Sequence, residues 1–148
     1  MAMVKKIRIL FLCTGNSCRS QMAEGWSRHL IGDRIEAYSA GIEKHGLDPL
    51  AVHVMAEVGI DISTQRSKLV GELRVKEFDY VITLCGHANE TCPYFPGKKI
   101  HKGFDDPPKL AAMAKTEAEK LIPYRRVRDE IRKFVEKLPD ALISANKG

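Results

Sequence analysis

The sequence predicts a parallel α/β fold, a helix-covered sheet assembled from βαβ units. Three observations carry this. Ile7–Cys13 is an apolar run interrupted only by Arg8, the pattern of a strand buried on both faces. A helical pattern follows at once, after the turn residues Thr14, Gly15, Asn16 and Ser17. Two more strand-like runs, 35–42 and 80–84, alternate with a second helical pattern, and such alternation implies right-handed crossovers onto one parallel sheet.

Each element has its own signal. The first helix shows Met22, Ala23, Trp26 and Leu30 on one face and closes near Gly32. The second strand, 35–42, carries Gly41 near its end. Asp48 and Pro49 supply an N-cap and a first-turn proline for a helix bearing Leu50, Val54, Met55 and Val58, with Gly59 as its stop. The third strand, 80–84, delivers Cys85 at its C-terminal end, and 99–104 reads as a fourth, shorter strand. A last helix is expected from near Pro123, with Val127, Ile131, Phe134 and Leu138 as its apolar stripe. Residues 109–120, rich in Ala, Lys and Glu, read as an inserted helical or mobile segment. The length of 148 residues and the absence of repeats suit one domain over 1–148.

Composition narrows the function. With 44% hydrophobic and 29% charged residues, the chain reads as a soluble globular protein. No run approaches the ~20 apolar residues of a membrane span, and 7–13 is too short and too interrupted for an export signal, so a cytoplasmic protein without membrane association is expected. The net charge of +5 comes without a dense basic block interleaved with aromatics, which argues against nucleic acid and suits a small anionic ligand. Four cysteines without an export signal argue against a structural disulfide framework. Their spacings, with no Cys-x-x-Cys or paired histidines, give no metal site, and nothing calls for a cofactor. Catalysis is left.

The chemistry centres on Cys13 to Ser20, a Cys-x5-Arg-Ser motif between a strand and a helix. Backbone N–H groups of Thr14, Gly15, Asn16, Ser17, Cys18 and Arg19, curling into a helix N-terminus, make a concave site for a tetrahedral oxyanion. The Arg19 guanidinium adds a bidentate clamp. The same donors favour a Cys13 thiolate, and Ser20 can donate a hydroxyl hydrogen bond to it. A nucleophile then faces an electrophilic phosphorus or arsenic atom held by its own oxygens. A lone cysteine here would be read as a packed strand-end residue; Arg19, Ser20 and the strand–loop–helix setting reverse that preference. The loop is not a nucleotide P-loop, because no Gly-Lys-Ser/Thr follows. Cys18 lends its N–H, while its sulfur reads as a packed or half-exposed thiol.

Residues 13–26, together with Tyr38-Ser-Ala-Gly-Ile42, Thr83-Leu-Cys85, Cys92-Pro93, Gly103-Phe-Asp-Asp-Pro107 and Arg126-Val-Arg-Asp-Glu130, resemble the thioredoxin-coupled arsenate reductases in order and over nearly the whole chain. The resemblance implies the low-molecular-weight phosphatase fold, a four-stranded parallel sheet flanked by helices on both faces. It also implies a sulfur relay. Cys13 attacks arsenate while Asp106 protonates the departing hydroxyl; Cys85 attacks Cys13 and arsenite leaves; Cys92 attacks Cys85, and thioredoxin reduces the resulting Cys85–Cys92 disulfide. Asp105 is the alternative acid, and the family pattern, with the acid just before the proline, selects Asp106. Phosphate and sulfate are implied as competing anions, and a monomer is expected.

Cys85 and Cys92 are seven positions apart, roughly 10.5 Å of helical rise, whereas a disulfide needs Cα atoms within about 7 Å. If 86–91 is helical when reduced, oxidation must unwind it. Without the Cys13 loop the two would be read as isolated thiols. Two rival functions share the loop: a phosphatase that leaves Cys85 and Cys92 idle, and a non-enzymatic oxyanion or redox sensor. Finally, some members of the family hold a potassium ion beside the loop. Asn16, Glu24 and Ser39 match its ligands, but the fourth position is Lys68, whose ammonium is expected to take the place of the ion. The alternative is a solvated Lys68 and a water-filled pocket.

Overall fold

The computed structural model describes residues 6–75, 77–86, 98–138, 140 and 142. Its elements are β1 (Ile7–Cys13), α1 (Arg19–Ile31), β2 (Ile35–Gly41), α2 (Pro49–Glu57), a 3-10 turn (Val70–Glu72), β3 (Tyr80–Thr83), β4 (Lys98–His101), α3 (Pro107–Ala111) and α4 (Glu117–Glu136).

The four strands form one parallel sheet in the order β2-β1-β3-β4. Register runs from Ile7 opposite Ile35 to Cys13 opposite Gly41 on one side of β1, and from Ile9 opposite Tyr80 on the other. Successive side chains of a strand point to opposite faces. Ile9, Leu10, Phe11 and Leu12 are nevertheless all fully buried, so the sheet is covered on both faces at β1. The chain leaves β1 towards β2 and then returns past β1 to β3. The C-terminal ends of β1 and β3 therefore flank the point where strand order reverses, the place where such sheets bind ligands.

Helix packing follows the apolar stripes. Met22, Ala23 and Trp26 of α1 and Val127, Ile131 and Val135 of α4 are buried, each large side chain contributing about 1.5–3 kcal/mol on burial. The Trp26 indole N–H donates to the Arg128 carbonyl at 3.1 Å, which fixes α1 against α4. The predicted cap of α2 is present: Asp48 Oδ1 accepts from Leu50 N at 2.9 Å, Pro49 opens the helix, and Gly59 at φ 81° ends its turn.

Two expectations need correction. The fourth strand is Lys98–His101 and stops short of Phe104, because the chain turns across the top of the sheet, where Phe104 N donates to Leu84 O at 3.0 Å. The last helix begins at Glu117, not near Pro123, so the helical reading of 109–120 holds at its two ends: the segment is divided between α3, a turn at 112–116 and the first turn of α4. Thr116 caps α4, its Oγ1 accepting from Glu119 N at 3.1 Å. Pro123 sits inside the helix, where it forgoes one main-chain bond. The cap and the long apolar stripe outweigh that loss.

Candidate active site

β1 ends at Cys13 and α1 starts at Arg19, so the intervening loop is strung between two rigid elements. Its carbonyls are all engaged on the outside. Ile42 N donates to Cys13 O (3.3 Å), Glu43 N to Thr14 O (2.7 Å), His45 N to Gly15 O (3.0 Å) and Asp48 N to Ser17 O (3.0 Å). Gln21 Nε2 donates to Asn16 O at 3.0 Å. In a planar trans peptide the N–H points opposite to the C=O. Outward carbonyls from Cys13 to Ser17 thus turn the N–H groups of Thr14 to Cys18 inward. Among the described residues, none of the N–H groups from Gly15 to Cys18 donates to a backbone carbonyl. With the first turn of α1 they make a concave cradle of donors whose geometry suits a tetrahedral oxyanion.

Asn16 is the keystone. It adopts φ 47°, a left-handed conformation that Asn tolerates better than most residues. Its Oδ1 accepts from Gln21 Nε2 (3.0 Å) and Lys68 N (2.9 Å), and its Nδ2 donates to Ser20 Oγ at 2.7 Å. Gln65 Nε2 in turn donates to Gln21 Oε1 at 2.8 Å. Because Asn16 Nδ2 can only donate, Ser20 Oγ accepts from it, and its own hydrogen stays available for Cys13 Sγ, 2.9 Å away. That orientation suits a thiolate.

Gly15 and Gly41 allow the close approach. The His45 ring lies directly over Gly15, so that a Cβ there would stand 2.2 Å from Nδ1. A Cβ on Gly41 would meet Glu43 O at 2.3 Å and Asn16 N at 2.7 Å.

Arg19 is buried, its NH1 donating to Phe104 O at 3.1 Å and its NH2 lying 3.7 Å from Asp106 Oδ1. The neighbouring Asp105 is turned away, bound to Arg126 NH2 at 2.9 Å. Of the two adjacent carboxylates, Asp106 is the one that faces the cradle's arginine. It stands at the head of α3, immediately before Pro107.

Cys13, Cys18 and Cys85 are buried reduced thiols. Cys85 follows β3, and its Sγ is 3.2 Å from Thr14 Oγ1. Thr14 thus lends its backbone to the loop and its side chain to the second thiol. Burial, reinforced by Asp48, pushes the Cys18 thiol well above its ordinary value, in keeping with a packed, protonated sulfur. Cys92 and residues 87–91 lie outside the described residues, and with them the expected switch segment.

Beside the loop, Glu24 is buried. Its Oε1 accepts from Ser39 Oγ at 2.8 Å and lies 3.9 Å from Lys68 Nζ, which itself donates to Arg66 O at 3.0 Å. Burial lowers the Lys68 pKa while Glu24 opposes that shift. Lys68 is not the sole cation at Glu24: Arg28, one turn along α1, reaches its Oε2 at 3.2 Å.

Sequence reading missed several supporting residues. Gln21 and Gln65 carry no motif, and only their tertiary placement makes them braces of Asn16. Asp48 was legible as a helix cap, but not as the donor to Ser17 O or as the acceptor of the Tyr124 hydroxyl at 2.5 Å.

A sequence model of the low molecular weight phosphotyrosine protein phosphatases matches residues 8–147. An arsenate reductase of Halalkalibacterium halodurans is 53% identical over 136 residues, spanning 90% of this chain and 95% of that one. A solved arsenate reductase in the phosphate-binding state superposes with TM-score 0.75 at 34% identity, covering 89% of this chain and 95% of the other. The low molecular weight protein tyrosine phosphatase of T. tengcongensis superposes with TM-score 0.72 at 28% identity, over 92% and 99% of the two chains. This chain belongs to the low molecular weight phosphotyrosine protein phosphatase family, in the arsenate reductase group of that fold.

Proposed function

We propose that the chain reduces arsenate to arsenite by a relay through Cys13, Cys85 and Cys92, and that a thioredoxin recycles it for arsenic detoxification. Arsenate sits in the cradle of residues 14–19, clamped by Arg19. The Cys13 thiolate, oriented by Ser20, attacks arsenic, and one hydroxyl leaves as water with the proton of Asp106. Cys85 then attacks Cys13 Sγ. The sulfur–arsenic bond breaks with its electron pair going to arsenic, arsenite departs, and a Cys13–Cys85 disulfide forms. Cys92 attacks Cys85, Cys13 returns as a thiolate, and Cys85–Cys92 awaits an external dithiol. Two thiols are oxidised for each As(V) reduced to As(III).

The observation that carries this reading is the 3.2 Å contact of Cys85 Sγ with Thr14 Oγ1. It holds a second thiol against the nucleophile's own loop, where ester hydrolysis has no use for one. Phosphate and sulfate, which share the tetrahedral geometry, compete for the cradle. Such thiol chemistry suits a monomer in a reducing cytoplasm. Beside the loop, the Lys68 ammonium takes the place of a monovalent cation.

Phosphatase activity at the same Cys13, Arg19 and Asp106 is the second reading, favoured by their arrangement alone. Thiol titration after adding arsenate to the reduced protein separates the two. The relay loses two thiols per arsenite formed, a phosphatase loses none, and a redox sensor loses thiols without turnover.

A further inference from the structure

The groove between the segment after β4 and the end of α4 has no part in the chemistry above. It encloses about 470 Å³ and is lined by Lys102, Phe104, Glu130, Lys133, Phe134 and Lys137. The last four stand at positions i, i+3, i+4 and i+7 of one helical face. Phe104 and Phe134 meet edge to face with centroids 5.9 Å apart and form the floor, and Lys102 Nζ lies 5.5 Å from the centre of the Phe104 ring. Glu130 is engaged by Arg126 at 3.0 Å. Among the described residues, no carboxylate pairs with Lys102, Lys133 or Lys137. Two of these lysines, Lys133 and Lys137, stand a single turn apart at the C-terminal end of α4.

The floor of the groove is connected to the site. Phe104 N donates to Leu84 O at 3.0 Å, one residue before Cys85, and Phe104 O holds Arg19 at 3.1 Å.

We propose that this groove is the docking surface for the acidic rim of the protein dithiol that regenerates the enzyme; the proposal rests on the relay described above. A lysine rim around an aromatic floor fits an acidic protein segment that carries an apolar side chain. A partner seated there lies against the strand end that bears Cys85. Regeneration balances as a dithiol exchange: one thiolate of the partner attacks the Cys85–Cys92 disulfide, its second thiol closes the partner's own disulfide, and two electrons and two protons return both cysteines to thiols. A small dithiol diffuses to the same disulfide without needing the groove.

The test uses the full chain with Lys133→Glu/Lys137→Glu, and with Lys133→Gln/Lys137→Gln as a milder pair, driven by thioredoxin or by dithiothreitol. In the glutamate pair, the KM for thioredoxin should rise about tenfold or more at nearly unchanged kcat. The wild-type KM should climb between about 50 and about 300 mM salt, while that of the glutamine pair stays nearly flat and that of the glutamate pair falls as its repulsion is screened. Turnover with dithiothreitol, and the loss of two thiols per arsenate without any reductant, should match wild type. An unchanged KM for thioredoxin in the glutamate pair overturns the docking surface, as do equal losses with both reductants in the glutamine pair. A wild-type protein that loses no thiols to arsenate would overturn the relay instead.

Discussion

Substituting Gly41 by alanine should damage the oxyanion loop from a position that touches no substrate. Gly41 closes β2 opposite Cys13, and its added Cβ would lie 2.3 Å from Glu43 O, 2.7 Å from Asn16 N and 2.9 Å from Gly15 C. All three are backbone atoms, so no side chain can swing aside. To regain a contact of about 3.4 Å, Glu43 O must retreat by about 1.1 Å and Asn16 N by about 0.7 Å. The first movement strains the Glu43 N to Thr14 O bond of 2.7 Å, and the second displaces a cradle donor. Overpacking of this kind costs about 1–3 kcal/mol of stability. Since a misplacement of about 1 Å lowers reactivity by about 10²-fold, a fall in kcat/KM of roughly 10- to 100-fold is expected. Denaturant unfolding gives the first quantity, and sulfate binding with arsenate kinetics gives the second. Gly71→Ala serves as control, because a Cβ there meets nothing within 4 Å. A Gly41→Ala protein with wild-type sulfate affinity and stability would refute the account of the cradle.

Cys13→Ser should abolish arsenate reduction and phosphate-ester hydrolysis together, whereas Cys92→Ser should release one arsenite per chain and stall with Cys13 bonded to Cys85, visible by mass after thiol blocking. Steady turnover of Cys92→Ser with thioredoxin would sink the relay. Arg125 and Arg128 hold the Glu57 carboxyl down to about 2 from an ordinary 4.5, so its contribution is present above pH 4.5 and is lost as the pH falls towards 2. Glu57→Gln should therefore unfold at lower denaturant than wild type at pH 7, with the gap closing on acidification; a gap independent of pH would contradict this. Because Lys68 Nζ lies 3.9 Å from buried Glu24, arsenate reduction should ignore exchange of sodium for potassium, and Lys68→Asp should introduce a potassium requirement. Potassium activation of the wild type would rule out the substitution of ion by ammonium.

Where the determinants lie close together in the chain, they were readable. Cys13, Arg19, Ser20 and the loop between them occupy eight consecutive residues between a strand and a helix, and the α2 cap is a dipeptide. Hydrogen bonds within a turn depend on local backbone geometry, which residue types at short spacing report. The start of α4 is local too, but its signal competes with another: Thr116 and Glu119 form the cap, while Pro123 imitates a helix start inside a helix whose long buried stripe tolerates it.

Contacts between distant segments were beyond local reading. Asp105 and Asp106 are indistinguishable as neighbours, and the family resemblance alone chose between them. In the fold, Arg126, 21 residues along the chain, takes Asp105 and leaves Asp106 towards Arg19. Thr14 and Cys85, 71 positions apart, meet because β1 and β3 are paired in register, so that their ends coincide. Gln65 holds Gln21, 44 positions away, and Gln21 in turn braces Asn16. The sequence by itself determined the order of the elements and the strand–loop–helix setting of Cys13 to Ser20, since those depend on side-chain periodicity and turn chemistry. Which of the two carboxylates lies towards Arg19, and how close Cys85 comes to the loop after Cys13, only the tertiary structure decided, because sheet register and helix packing set those distances and no short stretch of sequence encodes them.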